Sequence, residues 1–230
     1  MIFNKIIFKI SVAWVVILPT WATVSVSNAA SLSENRLAAE LIVMNGDLRR
    51  MDEFKGLFFI KKGLKERLLG ASAPLSLLIR EARDKNSSLP FPPKNSIINL
   101  QQALLDEKFK VANFWIDELM RLFPLKTKGI LPPNKTLESI RKAEVLHEKF
   151  CSGCHSSDVD VPYDENIERP AWNLFQMAQE IDKKEFTARL IIGVKGDALT
   201  ATENPLSHTE ISSLVGFYRN RNTTKGNTPE

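Results

Sequence analysis

The sequence predicts an all-α protein: a small helical bundle followed by a second helical domain. Two observations carry that expectation. Apolar residues recur at spacings of three and four through most of the chain. No stretch alternates apolar and polar residues for long enough to make a useful strand. With 230 residues, 43% hydrophobic and 25% charged, the chain has enough apolar side chains to bury a core, and disorder is not the default.

Taken in order, the N-terminus reads as a secretory signal over residues 1–29. Lys5 and Lys9 supply a basic start, Ile10 to Leu18 an apolar run, and Ser25 to Ala30 small residues for cleavage, after Ala29 or alternatively after Ala22. The apolar run is shorter than the ~20 residues a membrane span needs, and Pro19 interrupts it. No later segment reaches that length, so no span is expected after signal removal. Loss of Lys5 and Lys9 from the 31 Lys and Arg leaves 29 against 27 Asp and Glu. A charge that small and dispersed gives no footprint for nucleic acid or a membrane surface.

Residues 30–125 read as a bundle of four or five helices. Ser31 and Glu34 are spaced as a capping box ahead of Leu37, Leu41 and Met44. Asn45-Gly46-Asp47 reads as a break. Met51, Phe54, Leu57, Phe58, Leu64 and Leu68 form one face of the next helix, and Gly70 to Pro74 ends it. Leu75, Leu78, Ile79 and Ala82 begin another, followed by a loop from Asp84 to Pro93. Ile97–Leu105 and Phe109–Phe123 then form a hairpin around the turn Asp106-Glu107-Lys108. The hairpin is faintly like a tetratricopeptide unit, but no 34-residue period repeats it.

Residues 126–136 (KTKGILPPNKT) are the expected linker. A helix resumes at Leu137 and runs through Ala143, Leu146 and Phe150 into Cys151. After an acidic loop, Ser156 to Glu168, short helices are expected near Trp172–Ile181 and Phe186–Ile192. A final helix starts at Ser207, spaced with Glu210 as a second capping box, and residues 223–230 are a polar tail.

The chain has two cysteines, and both lie in Cys151-Ser152-Gly153-Cys154-His155. Exported proteins use cysteines mainly as disulfide staples; with none left over, cysteine here serves chemistry. Cys-x-x-Cys-His is the c-type haem attachment pattern. Two thiols one helical turn apart add to the vinyl groups on one edge of the porphyrin, and the adjacent imidazole reaches the iron. One covalent haem c is therefore expected, on Cys151 and Cys154, with His155 as proximal iron ligand. A zinc site drawing on His147, Cys151, Cys154 and His155 is the first alternative, although adjacent residues rarely both reach one tetrahedral ion and no His-x₃₋₅-His arm is present. A thioredoxin-like dithiol is the second, but it wants a βαβ setting. His147, one turn before Cys151, reads as a surface residue.

Residues 137–222 resemble the class I c-type cytochromes. The resemblance rests on the helix entering the motif (AEVLHEKFCSGCH), a Pro-containing loop (ERPAWNL) and a C-terminal amphipathic helix with aromatics (NPLSHTEISSLVGFYR). It implies a cytochrome c-like domain in which the first and last helices cross beside the haem, bringing Leu146 and Phe150 to Leu214, Phe217 or Tyr218. It also implies a Pro carbonyl that accepts the proximal His Nδ1–H, with Pro170 the best match and Pro162 the alternative. The family places a distal Met just before the last helix. Here the stretch Gly193 to Leu206 has none; Met177 and His208 are the candidates within the domain, and a group from the N-terminal bundle (Met44, Met51 or Met120) or from a partner is the other option.

The resulting expectation is a soluble, periplasmic monohaem cytochrome that transfers single electrons between redox partner proteins, docking through the N-terminal bundle. No catalytic constellation appears, so an electron carrier is expected in place of an enzyme. The missing Met raises one alternative, a five-coordinate haem that binds or senses NO or CO, and the extra helices raise another, a non-catalytic haem subunit of a larger oxidoreductase complex.

Overall fold

A computed structural model describes residues 26–53, 58–155, 171–193 and 206–220, except the side chains of 26–34 and 52. Every regular element among them is a helix: α1 (Val26–Glu53), α2 (Phe58–Ser72), α3 (Leu75–Lys85), α4 (Ser96–Leu105), α5 (Phe109–Leu122), α6 (Leu137–Phe150), α7 (Leu174–Glu180), α8 (Lys183–Ile192) and α9 (His208–Asn220). None of these helices is long and apolar enough to cross a membrane. Residues 1–25 of the expected leader (1–29) lie outside the described residues, as does the tail, while residues 26–29 form the start of α1.

Two apolar cores organise the chain. α1 to α5 enclose the first, around Leu41, Leu68, Leu75, Leu100, Ile116 and Leu119. α6 to α9 enclose the second, around Ala143, Leu174, Phe186, Leu214 and Tyr218. Local sequence explains where the later helices begin. Thr136 Oγ1 accepts from Ser139 N at the start of α6. Asn173 Oδ1 caps α7 and Asp182 Oδ1 caps α8, each satisfying two otherwise orphaned N–H groups. At α9 the expected capping box forms: Glu210 N donates to Ser207 Oγ at 3.3 Å, and Ser207 N donates to Glu210 Oε2 at 2.9 Å.

α1 departs from the expected pattern. Asn45-Gly46-Asp47 does not break it, and the capping pair Ser31/Glu34 lies inside it, because the helix already begins at Val26. The reason is tertiary. One face of α1 packs into the first core. The other carries Ala38, Ala39, Ile42 and Val43 against Ala188 and Ile192 of α8, with Leu125 alongside. Gly46 sits where this contact is tightest, since a Cβ there would collide with Glu185. Asp47, only 1% exposed, accepts from Arg189 Nη2 at 3.0 Å and pairs with Arg67 Nε at 3.2 Å. Glu185 in turn takes Arg189 on one oxygen and Arg49 on the other. Burial works against the Arg189 charge, but Asp47 and Glu185 outweigh it and hold the guanidinium above its ordinary value.

Residues 126–136 join the two groups of helices without standing free of either. Lys126 N donates to Asn35 Oδ1 of α1 at 3.0 Å. Ile130 is fully buried in the second core. Asn134 N donates to Ser212 Oγ of α9 at 3.1 Å.

Candidate functional site

α6 delivers the motif. Its buried face is the stripe Ser139, Ala143 and His147, continued by the half-buried Cys151. Steps of four residues keep these on one side of a helix. Small and polar side chains line it because α9 lies close: Ser139 Oγ donates to Ser213 Oγ at 2.7 Å. A Cβ on Gly216 would strike the Asn134 carbonyl oxygen.

His147 is therefore not the surface residue the sequence suggested. It is 4% exposed, with Nδ1 2.8 Å from the Tyr218 hydroxyl and its ring edge-on to Phe175 and Tyr218. Phe150, expected to pack on α9, is 48% exposed, while Leu146 meets the second core as expected. Reading α6 by its apolar residues alone turned it away from its true buried face.

The helix ends at Phe150, so Cys151 to His155 form a turn and not a further helical turn. The carbonyl of Cys151 accepts from Cys154 N at 3.1 Å and from His155 N at 2.8 Å, which folds the five residues back on themselves. Both thiols are free, Cys151 half-buried and Cys154 exposed. Burial raises the Cys151 pKa, nearby Cys154 adds to this, and a hydrogen bond with Tyr218 opposes it. Tyr218 is itself pushed well above the usual phenol value by burial next to Cys151.

His155 Nδ1 lies 2.5 Å from the backbone carbonyl oxygen of Trp172. An imidazole held this way donates from Nδ1, which fixes the tautomer and leaves Nε2 as a lone-pair donor. The acceptor stands two residues beyond Pro170; Pro170 and Pro162 lie outside the described residues. The Trp172 indole is covered by the guanidinium of Arg50, from α1.

The two distal candidates lie on different helices. Met177 is buried on α7 in the second core. His208 opens α9, its Nε2 3.4 Å from Asn35 Nδ2, with its pKa lowered by burial. Ten residues, or ~15 Å of helix, separate it from Tyr218 beside Cys151. Of the stretch 193–206 only Gly193 and Leu206 are described. Among the described residues, no group of three or more His, Cys, Asp and Glu side chains is gathered for a metal ion, and His147 Nδ1 is taken by the Tyr218 hydroxyl.

No family model, curated protein or solved structure matches the chain.

Proposed function

We propose that the chain is a monohaem c-type cytochrome, exported to the periplasm, that passes single electrons between redox partner proteins and is not itself an enzyme. The observation that carries this reading is the His155 Nδ1 contact with the Trp172 carbonyl. It prepares Nε2 for iron in the same turn that holds two free thiols. The donor set fits haem c: Cys151 and Cys154 would hold it by thioethers and His155 would ligate the iron, while haem would supply a one-electron couple. The protein's own part is to fix the imidazole tautomer, to keep Cys151 against an apolar core, and to present the site to partners that dock through the helical bundle.

A five-coordinate haem that binds a small ligand such as NO or CO is the second reading. The placement of His208 against Asn35, far along α9 from Tyr218, favours it, because it weakens one of the two internal candidates for the distal position.

Spectra of the purified holoprotein in both oxidation states test both readings. Electron transfer expects a low-spin spectrum in each state and a reversible one-electron couple. Ligand sensing expects a high-spin ferric form and rapid CO binding when reduced. Haem that survives acid–acetone extraction from the wild type, and is lost from the Cys151→Ala, Cys154→Ala variant, establishes the attachment; haem retained by that variant refutes it.

A further inference from the structure

Among the described residues, the N-terminal helix meets Trp172, whose carbonyl faces the motif. Arg50 stands on α1 one turn beyond Gly46, where α1 and α8 are closest. Its guanidinium covers the Trp172 indole, and the carbonyl of that same Trp172 faces His155 Nδ1. Arg50 is buried, at 6% exposure. Burial and the neighbouring Arg189 pull its pKa down to about 9, against the pull of Asp47, Glu53 and Glu185, so it remains charged at neutral pH. A guanidinium over an indole face is a cation–π contact, and the planar group stacks where an ammonium cannot.

We infer that Arg50 is a positioning residue for the proximal ligand: by pinning the Trp172 ring it holds the Trp172 carbonyl on His155 Nδ1, and so makes the helical bundle part of the iron-binding site. The inference rests on the haem reading for its consequence and on the clamp itself for its geometry. Trp172 precedes α7 and lies in no helix, so its peptide is not fixed by helical hydrogen bonding. Trp172 packs on the second core, and from the bundle Arg50 covers its ring. Loosening this carbonyl weakens the hydrogen bond that makes the imidazole a stronger donor, and a weaker donor favours the reduced iron.

The test is Arg50→Lys, which keeps the charge and loses the planar stack. Solvent exchange of the His155 Nδ1 proton is followed by NMR in the holoprotein and in the haem-free chain, together with the midpoint potential of the holoprotein. The expected result is exchange about tenfold faster in both forms and a higher midpoint potential. Arg49→Lys, which disturbs the salt bridge to Glu185 instead, is expected to leave both unchanged. Unaltered exchange in Arg50→Lys overturns the inference, as does an equal effect of Arg49→Lys, which would mark a general loosening of the α1–α8 contact. If Arg50→Lys does not fold, Trp172→Ala serves in its place and is expected to speed exchange alike; unchanged exchange there is equally fatal. A chain that never acquires haem refutes the cytochrome reading, while exchange in the haem-free protein still decides the clamp.

Discussion

The Tyr218 hydroxyl lies 2.8 Å from His147 Nδ1, and Tyr218 also works against the burial that raises the Cys151 pKa. A residue near the end of α9 thereby acts on both the last turn of α6 and the first thiol of the motif. Tyr218→Phe keeps the ring packing and removes only the oxygen. It is expected to destabilise the haem-free protein by about 1–2 kcal/mol, the cost of a buried group losing a partner. Urea unfolding measures this, and an unchanged midpoint and slope would show that the oxygen contributes nothing.

The two thiols should differ in reactivity. Cys154 is exposed, whereas burial disfavours the Cys151 thiolate. In the reduced, haem-free chain, iodoacetamide is expected to modify Cys154 first, as mass spectrometry of time points would reveal. The same burial makes stability depend on pH. The folded-state pKa of Cys151 is raised above its unfolded value, so its contribution is complete below the unfolded value and is lost as pH rises through the folded one. Denaturation across the alkaline range should show this decline, and Cys151→Ser should flatten it.

Removing one member of the ion network tests the seam between the cores. Asp47 is nearly inaccessible and holds both Arg67 and Arg189. Asp47→Ala is expected to cost roughly 3–5 kcal/mol, because it strands buried positive charge. Calorimetry should show one transition moved to lower temperature. A separate melting of the two groups of helices in the wild type would contradict the shared role of α1.

Gly216 allows the backbone at Asn134 to lie directly on α9. Gly216→Ala puts a methyl group into that carbonyl oxygen, which is backbone and cannot swing aside. The expected loss is about 1–3 kcal/mol, read by thermal unfolding, with the first core spared in hydrogen exchange.

Much of this was legible in the chain. The helical spacing of Leu75, Leu78, Ile79 and Ala82 and the Ser207/Glu210 box each mark an element that is present. So does the turn at Asp106 to Lys108. What the sequence hid was long-range. Gly46 looks like a helix break because its reason for being small, Glu185, lies far along the chain. His147 looks like a surface residue because its partner, Tyr218, is on another helix. At the motif, residue types announced the thiols and the imidazole, but nothing in composition or spacing links Arg50 to Trp172.

The position of α1 between two cores also sets an order of events. Asp47 and Arg189 are 142 residues apart, and α1 emerges from the ribosome long before α8 does. Until Lys183–Ile192 arrives, the strip of Ala38, Ala39 and Val43 lacks the surface that will cover it. Contacts so distant in sequence close late, because the entropy of the intervening loop opposes them. The turn at 151–155 is local and lies inside that loop, so it can form while the seam is still open. The turn that carries Cys151 and Cys154 can therefore be in place before the seam closes, and closure of the seam is what brings Arg50 onto Trp172.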